Sequence, residues 1–162
     1  MEGSAFDEQE FFQAIARSGV RALLIGRKAL VALGLPVLSA DYDFWIHADD
    51  IEAFNAAVLH LDLFPNRTPE QARNLGRYVL ENDEKVDVLI ARRVSTVDGE
   101  EVVFDNVWSR REAAKLAGGG TVALPCLSDL IATKRFAARP KDAEDIRLLE
   151  GLRQKPTGGE TP

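Results

Sequence analysis

The sequence predicts an α+β fold, a sheet of short strands with helices packed around it. Apolar residues at three- and four-residue spacing predict helices near 8–18 and 51–61, and helix-forming stretches near 128–138 and 141–152 predict two more. Short apolar or alternating runs at 22–25, 40–46, 77–80 and 85–91 predict strands. Turn-forming Gly, Pro and Asp residues fall between these runs.

In chain order, Phe6, Phe11, Phe12, Ile15 and Ala16 lie on one face of a first helix from Glu8 to Ser18, with Asp7 as its N-cap and Gly19 as its stop. Ala22 to Ile25 forms a strand that enters Gly26, and Lys28 to Leu33 forms a short helix ended by Gly34 and Pro36. A second strand covers Ala40 to Ile46. After a polar break, Ile51, Phe54, Val58 and Leu61 give an amphipathic helix started by Asp49 or Asp50. A short polar helical turn follows within 64–74. Arg77 to Leu80 and Lys85 to Ala91 then form an antiparallel hairpin around the turn ENDE. Asp98-Gly99 marks another turn before a strand from Glu101 to Phe104. Ser109 to Ala117 has helical composition, Gly118 to Gly120 stops it, and Thr121 to Leu124 is a strand. Helices over 128–138 and 141–152 close the chain, interrupted at Pro140.

At 162 residues the chain fits one domain, drawn as 1–153, with the Gly-, Pro- and Thr-rich residues 154–162 as a disordered tail. The net charge of −6 gives no overall electrostatic footprint for generic nucleic-acid binding. The single Cys126 excludes an intrachain disulfide. With no charged-then-apolar leader and no membrane-length apolar run, a cytoplasmic location is expected.

The chemistry-bearing stretch is LLIGRKALVALGLPVLSADYDFWI, residues 23–46. Asp41 and Asp43 alternate with Tyr42, Phe44 and Ile46, so a strand places both carboxylates on one face, about 7 Å apart along the chain. Two acids this close repel unless water or a cation lies between them, and hard oxygen pairs suit Mg²⁺. Asp87 interrupts the otherwise apolar run KVDVLIA. If its strand lies beside that of Asp43, three carboxylates converge and can serve in-line phosphoryl chemistry. The competing readings are solvated carboxylates on an edge strand and, for Asp87, a pair with a nearby arginine.

The order of apolar strand, glycine turn, short helix, D-x-D strand and later apolar strand with one Asp resembles the DNA polymerase β-like nucleotidyltransferase superfamily, in particular its small bacterial antitoxin and AbiEii-like members. The segment LPCLSDLIATKRFAARPKDAEDIRLLE at 124–150 is similar to their helical end, where a Leu-Ile-x-x-Lys helix precedes a Lys-Asp-x-x-Asp-Ile helix. The resemblance implies a mixed β-sheet flanked by helices, with a C-terminal helical segment. It implies transfer of a nucleoside monophosphate from a nucleoside triphosphate, with ATP as the expected nucleotide, to a hydroxyl of a protein or small-molecule acceptor. Asp41, Asp43 and Asp87 would be catalytic and would hold two Mg²⁺ ions. Gly26 would admit the phosphates, and Arg27, Lys28 and Lys134 would supply charge to them.

Arg27 departs from the pattern, since a small residue usually follows the turn glycine. It either attracts phosphate or fills the pocket. The second option gives an alternative function: a nucleotidyltransferase-like binding protein with an impaired pocket, such as a toxin–antitoxin component with a protein partner. A third reading is a plain α+β interaction domain.

Elsewhere the bland readings lead. Lys134 reads as an exposed helix lysine, and Lys141, Asp142, Asp145 and Arg147 as a surface charge network, with Asp142 as an alternative helix cap. His47 and His60 lack ligand spacing, and Cys126 lacks a partner. Trp45 is assigned to the core on the strand face opposite the carboxylates, and Trp108 is left open.

Overall fold

The computed structural model describes residues 6–137 and 140–154. Helix α1, Glu8–Ser18, is capped by the Asp7 side chain, which accepts from Glu10 N, and ends at Gly19 with φ 76°, as its sequence predicts. It is followed by strand β1 (Ala22–Ile25), helix α2 (Gly26–Ala32), β2 (Tyr42–Ile46), α3 (Ile51–Val58), β3 (Phe64–Pro65) and α4 (Pro69–Leu75). Next come β4 (Arg77–Glu81), β5 (Lys85–Leu89), β6 (Arg93–Ser95), β7 (Glu101–Val103), α5 (Phe104–Ser109), β8 (Glu112–Lys115) and β9 (Thr121–Leu124). Helices α6 (Leu127–Ala137) and α7 (Pro140–Gln154) close the described chain.

The main sheet has the order β1-β2-β5-β4-β3. Only β2 and β5 run parallel; the other neighbours are antiparallel, so the sheet is mixed. The expected hairpin of β4 and β5 is present, with Val79 opposite Asp87. Its position next to β2 is what the sequence left conditional.

Period-two alternation splits the sheet into two unlike faces. Tyr42, Phe44 and Ile46 of β2, with Val86 and Val88 of β5 and Tyr78 and Leu80 of β4, pack against Phe11, Phe12 and Ile15 of α1 and Ile51, Phe54 and Val58 of α3. Each large side chain buried here contributes about 1.5–3 kcal/mol. On the other face Leu23 and Trp45 join Val94, Val102, Phe104, Val107 and Ala132 in a smaller core. That core covers only part of the face, and the remainder carries Asp43 and Asp87.

Two predictions fail. The helix expected over 109–117 is instead the end of α5 followed by strand β8, which pairs antiparallel with β9 from Glu112↔Leu124 to Lys115↔Thr121. Helix-forming Glu, Ala and Lys yield here to strand pairing. The glycines expected to stop a helix make the hairpin turn, with Gly119 and Gly120 at φ 96° and 86°. Trp45 also lies on the same face as Asp43, two residues along β2, although it is fully buried as expected. Helix α7 extends to Gln154, and the tail expectation for 155–162 lies outside the described residues. No described helix is long and apolar enough to cross a membrane.

Candidate active site

Asp43 and Asp87 are register partners on the parallel strands β2 and β5. Both are half-buried and line a cleft of 550 Å³ together with Ile25, Gly26, Arg77, Lys85, Lys134 and Phe136. The volume is that of a small-molecule site. Asp87 has no side-chain hydrogen bond or ion pair among the described residues, so the arginine-paired reading does not hold for it.

Gly26 sets how closely the turn approaches Asp43. Its φ is 71°, a left-handed conformation that side chains resist. A Cβ there would stand 2.5 Å from Asp43 Oδ2 and 3.0 Å from Asp43 Cγ. The absence of a side chain therefore brings the start of α2 against the carboxylate, and this is the physical content of the glycine turn in the sequence.

Asp41 lies one residue before β2, is exposed, and does not line the cleft. Among the described residues no group of three His, Cys, Asp or Glu side chains is arranged to hold a metal ion. The structure thus brings two of the three expected carboxylates together in the cleft.

The expected phosphate cations divide differently. Arg27 does not line the cleft: Nη2 donates to Asp145 Oδ1 at 2.9 Å and Nε reaches both Asp145 oxygens at 3.2 Å. Lys28 pairs with Glu8 at 3.3 Å and lies 4.7 Å from the Tyr42 ring centroid. Lys134 does line the cleft, but it is no exposed helix lysine. Its side chain is 4% exposed, with Nζ 2.8 Å from Asp145 and 3.6 Å from Asp142. Asp142 and Asp145, read from sequence as surface charges, are buried. Their i,i+3 spacing puts both on one face of α7, toward α6. Burial alone would push the Asp145 carboxyl up, but hydrogen bonds from Arg27 and Lys134 outweigh it and hold it below the ordinary carboxylate range.

Sequence reasoning passed over Arg77 and Lys85. Alternation along β4 and β5 puts both on the face of Asp87, a signal that was present in the sequence. The remaining singled-out residues lie elsewhere. Buried His47 accepts from Asp49 N through Nδ1, and His60 contacts Glu10. Cys126 donates to Asp129, and burial raises its pKa, the opposite of what a nucleophilic thiol needs. Trp108 stacks on Phe104.

No family model matches the sequence, and no curated protein matches it. Solved structures do match in fold. Thermotoga maritima TM1012, provisionally assigned as a nucleotidyltransferase, aligns over 91% of each chain with a TM-score of 0.61 and 14% identity. The lincosamide antibiotic adenylyltransferase LnuA, determined with lincomycin bound, aligns over 92% of this chain and 99% of its own, with a TM-score of 0.60 and 14% identity. The antibiotic-resistance factor ANT(2'')-Ia aligns over 90% of this chain and 82% of its own, with a TM-score of 0.59 and 15% identity. With its mixed sheet, flanking helices and helical C-terminal segment, this chain has the fold of these nucleotidyltransferase structures.

Proposed function

We propose that the protein transfers a nucleoside monophosphate from a nucleoside triphosphate, with ATP as the first candidate, to a hydroxyl of an acceptor molecule. The observation that carries this reading is the pairing of Asp43 with Asp87 in a cleft whose edge is the Gly26 turn. In the reaction the acceptor oxygen forms a bond to the α-phosphorus, the bond from that phosphorus to the bridging oxygen breaks, and pyrophosphate leaves. Asp87, without a described partner, takes the hydroxyl proton in this reading. Asp43, held against Gly26, fixes the phosphate end of the cleft.

Two hard carboxylates are a fitting donor set for Mg²⁺, which takes its other ligands from phosphates and water. Asp43 and Asp87 would hold the ion, and Asp41 would join them only by moving toward the cleft. When bound, such an ion offsets phosphate charge and lowers the pKa of a hydroxyl. Lys134 lines the cleft from the helical side, with its charge held by Asp145 and Asp142.

The test is label transfer from α-labelled nucleoside triphosphates with Mg²⁺, comparing the wild type with Asp43→Asn and Asp87→Asn. Transfer lost in both variants supports the reading; no nucleotide binding and no transfer with any of the four nucleotides ends it. The alternative of an obstructed, partner-binding protein was suggested by Arg27. Because Arg27 is drawn toward Asp145 and is no wall of the cleft, that feature no longer argues for it.

A further inference from the structure

The acceptor's chemistry follows from the cation that the cleft leaves uncommitted beyond Asp87. Arg77 stands opposite Leu89 in the β4–β5 ladder, two residues along from Asp87 and on the same face. Diagonal neighbours of this kind are about 7–8 Å apart, within reach of a long side chain. Arg77 nevertheless makes no ion pair or side-chain hydrogen bond with Asp87 or with any other described residue, although it lines the cleft. Arg27, outside the cleft, is committed to Asp145, and Lys134 is buried between two aspartates; Lys85, also without a described partner, lines the cleft on the other side of Asp87 from Arg77.

The ends of the cleft are also distinct. Ile25 is the register partner of Asp43 near the start of β2, so the Gly26 turn lies at that end. Arg77 lies toward the other end, where Leu89 is opposite Trp45. Leu89, Val94 and the exposed ring of Phe136 give the cleft its apolar lining.

We infer that Arg77 anchors the acceptor, and that the acceptor is a small hydroxyl compound carrying an anionic group, a phosphate or a carboxylate. With the hydroxyl at Asp87, the anion sits on the guanidinium, which matches both groups with paired N–H donors. The same arginine disfavours polycationic acceptors. This inference rests on the nucleotidyl-transfer reading for the hydroxyl's fate, but the anion site itself does not.

The first experiment titrates inorganic phosphate into the full chain saturated with Mg²⁺ and a non-hydrolysable ATP analogue, for the wild type, Arg77→Gln and Arg77→Lys. The expected result is phosphate binding that weakens at least tenfold in Arg77→Gln, is partly kept in Arg77→Lys, and leaves analogue affinity within twofold. No phosphate binding by the wild type, or equal binding by Arg77→Gln, overturns the inference. A parallel loss of analogue affinity also overturns it, because Arg77 would then hold nucleotide phosphate. If phosphate binding depends on Arg77 but the analogue never binds, the anion site stands and the nucleotidyl-transfer reading falls. The second experiment offers sugar monophosphates, uronic acids, neutral sugars and a polycationic aminoglycoside as acceptors of label from α-labelled ATP. Label on the phosphates or on the acids supports the inference and identifies the anion; label on the aminoglycoside alone overturns it.

Discussion

Arg27 and Asp145, separated by 118 positions in sequence, meet through a forked hydrogen-bonded pair in which the carboxylate is wholly buried. Lys134 approaches the same carboxylate from α6, so one acid joins α2, α6 and α7. The arrangement accounts for Arg27, which is held by Asp145 and does not line the cleft.

Removing that acid strands two cations. Asp145→Ala is expected to lose about 3–5 kcal/mol of stability, because Lys134 is left as a buried charge short of its nearest partner. Urea denaturation measures the loss. A change below 1 kcal/mol would mean that Asp142 alone satisfies Lys134.

The same acid gives a pH signature. The Asp145 carboxyl titrates below its ordinary value, so its stabilising contribution is fully present above about pH 4 and declines as pH falls through the lower native pKa. Acid unfolding of the wild type is expected to steepen below pH 4, and Asp145→Asn to be less stable at neutrality but flatter across that window. Parallel Tm profiles for the two proteins would refute the assignment.

Arg27→Gly tests whether the arginine belongs to the site. Its expected effect is a stability loss of about 2 kcal/mol from the missing charged hydrogen bonds, with nucleotide affinity within twofold of the wild type. A gain of tenfold in affinity would show that the arginine obstructs the pocket after all.

Gly26→Ala combines strain with collision. The left-handed φ and the approach of Asp43 predict a loss of about 1–3 kcal/mol together with displacement of the carboxylate. Transfer activity is expected to fall more than the folded fraction does, read by comparing label transfer with far-UV circular dichroism.

Asp87→Asn keeps the shape of the carboxylate and removes its basicity. Transfer is expected to fall by about 10²–10⁴-fold, with a rise in the Mg²⁺ concentration needed for what activity remains. An activity loss below tenfold would remove Asp87 from the role of base.

Much of this was legible from local pattern. The Asp7 and Gly19 limits of α1 and the β4–β5 hairpin follow from capping and period-two rules, whereas the meeting of Asp43 with Asp87 depended on β5 pairing with β2. What local pattern could not supply was the partner of each charge. Lys134, Asp142 and Asp145 look like surface residues on helices because their burial comes from the packing of α6 on α7. Six-residue α5 and three-residue β6 are shorter than the windows in which periodicity shows. Asp41 illustrates the opposite limit: the alternation is correct in sequence, but the strand begins one residue later.

The Arg27–Asp145 tie also orders events during synthesis. The glycine turn and both cleft aspartates emerge from the ribosome well before α7, yet the arginine beside the turn has no buried acid to hold it until residue 145 is made. Such a long-range closure is slow relative to local hairpin and helix formation. The contact that joins α2 to α6 and α7 is therefore among the last the chain can make, and it arrives with the final helix.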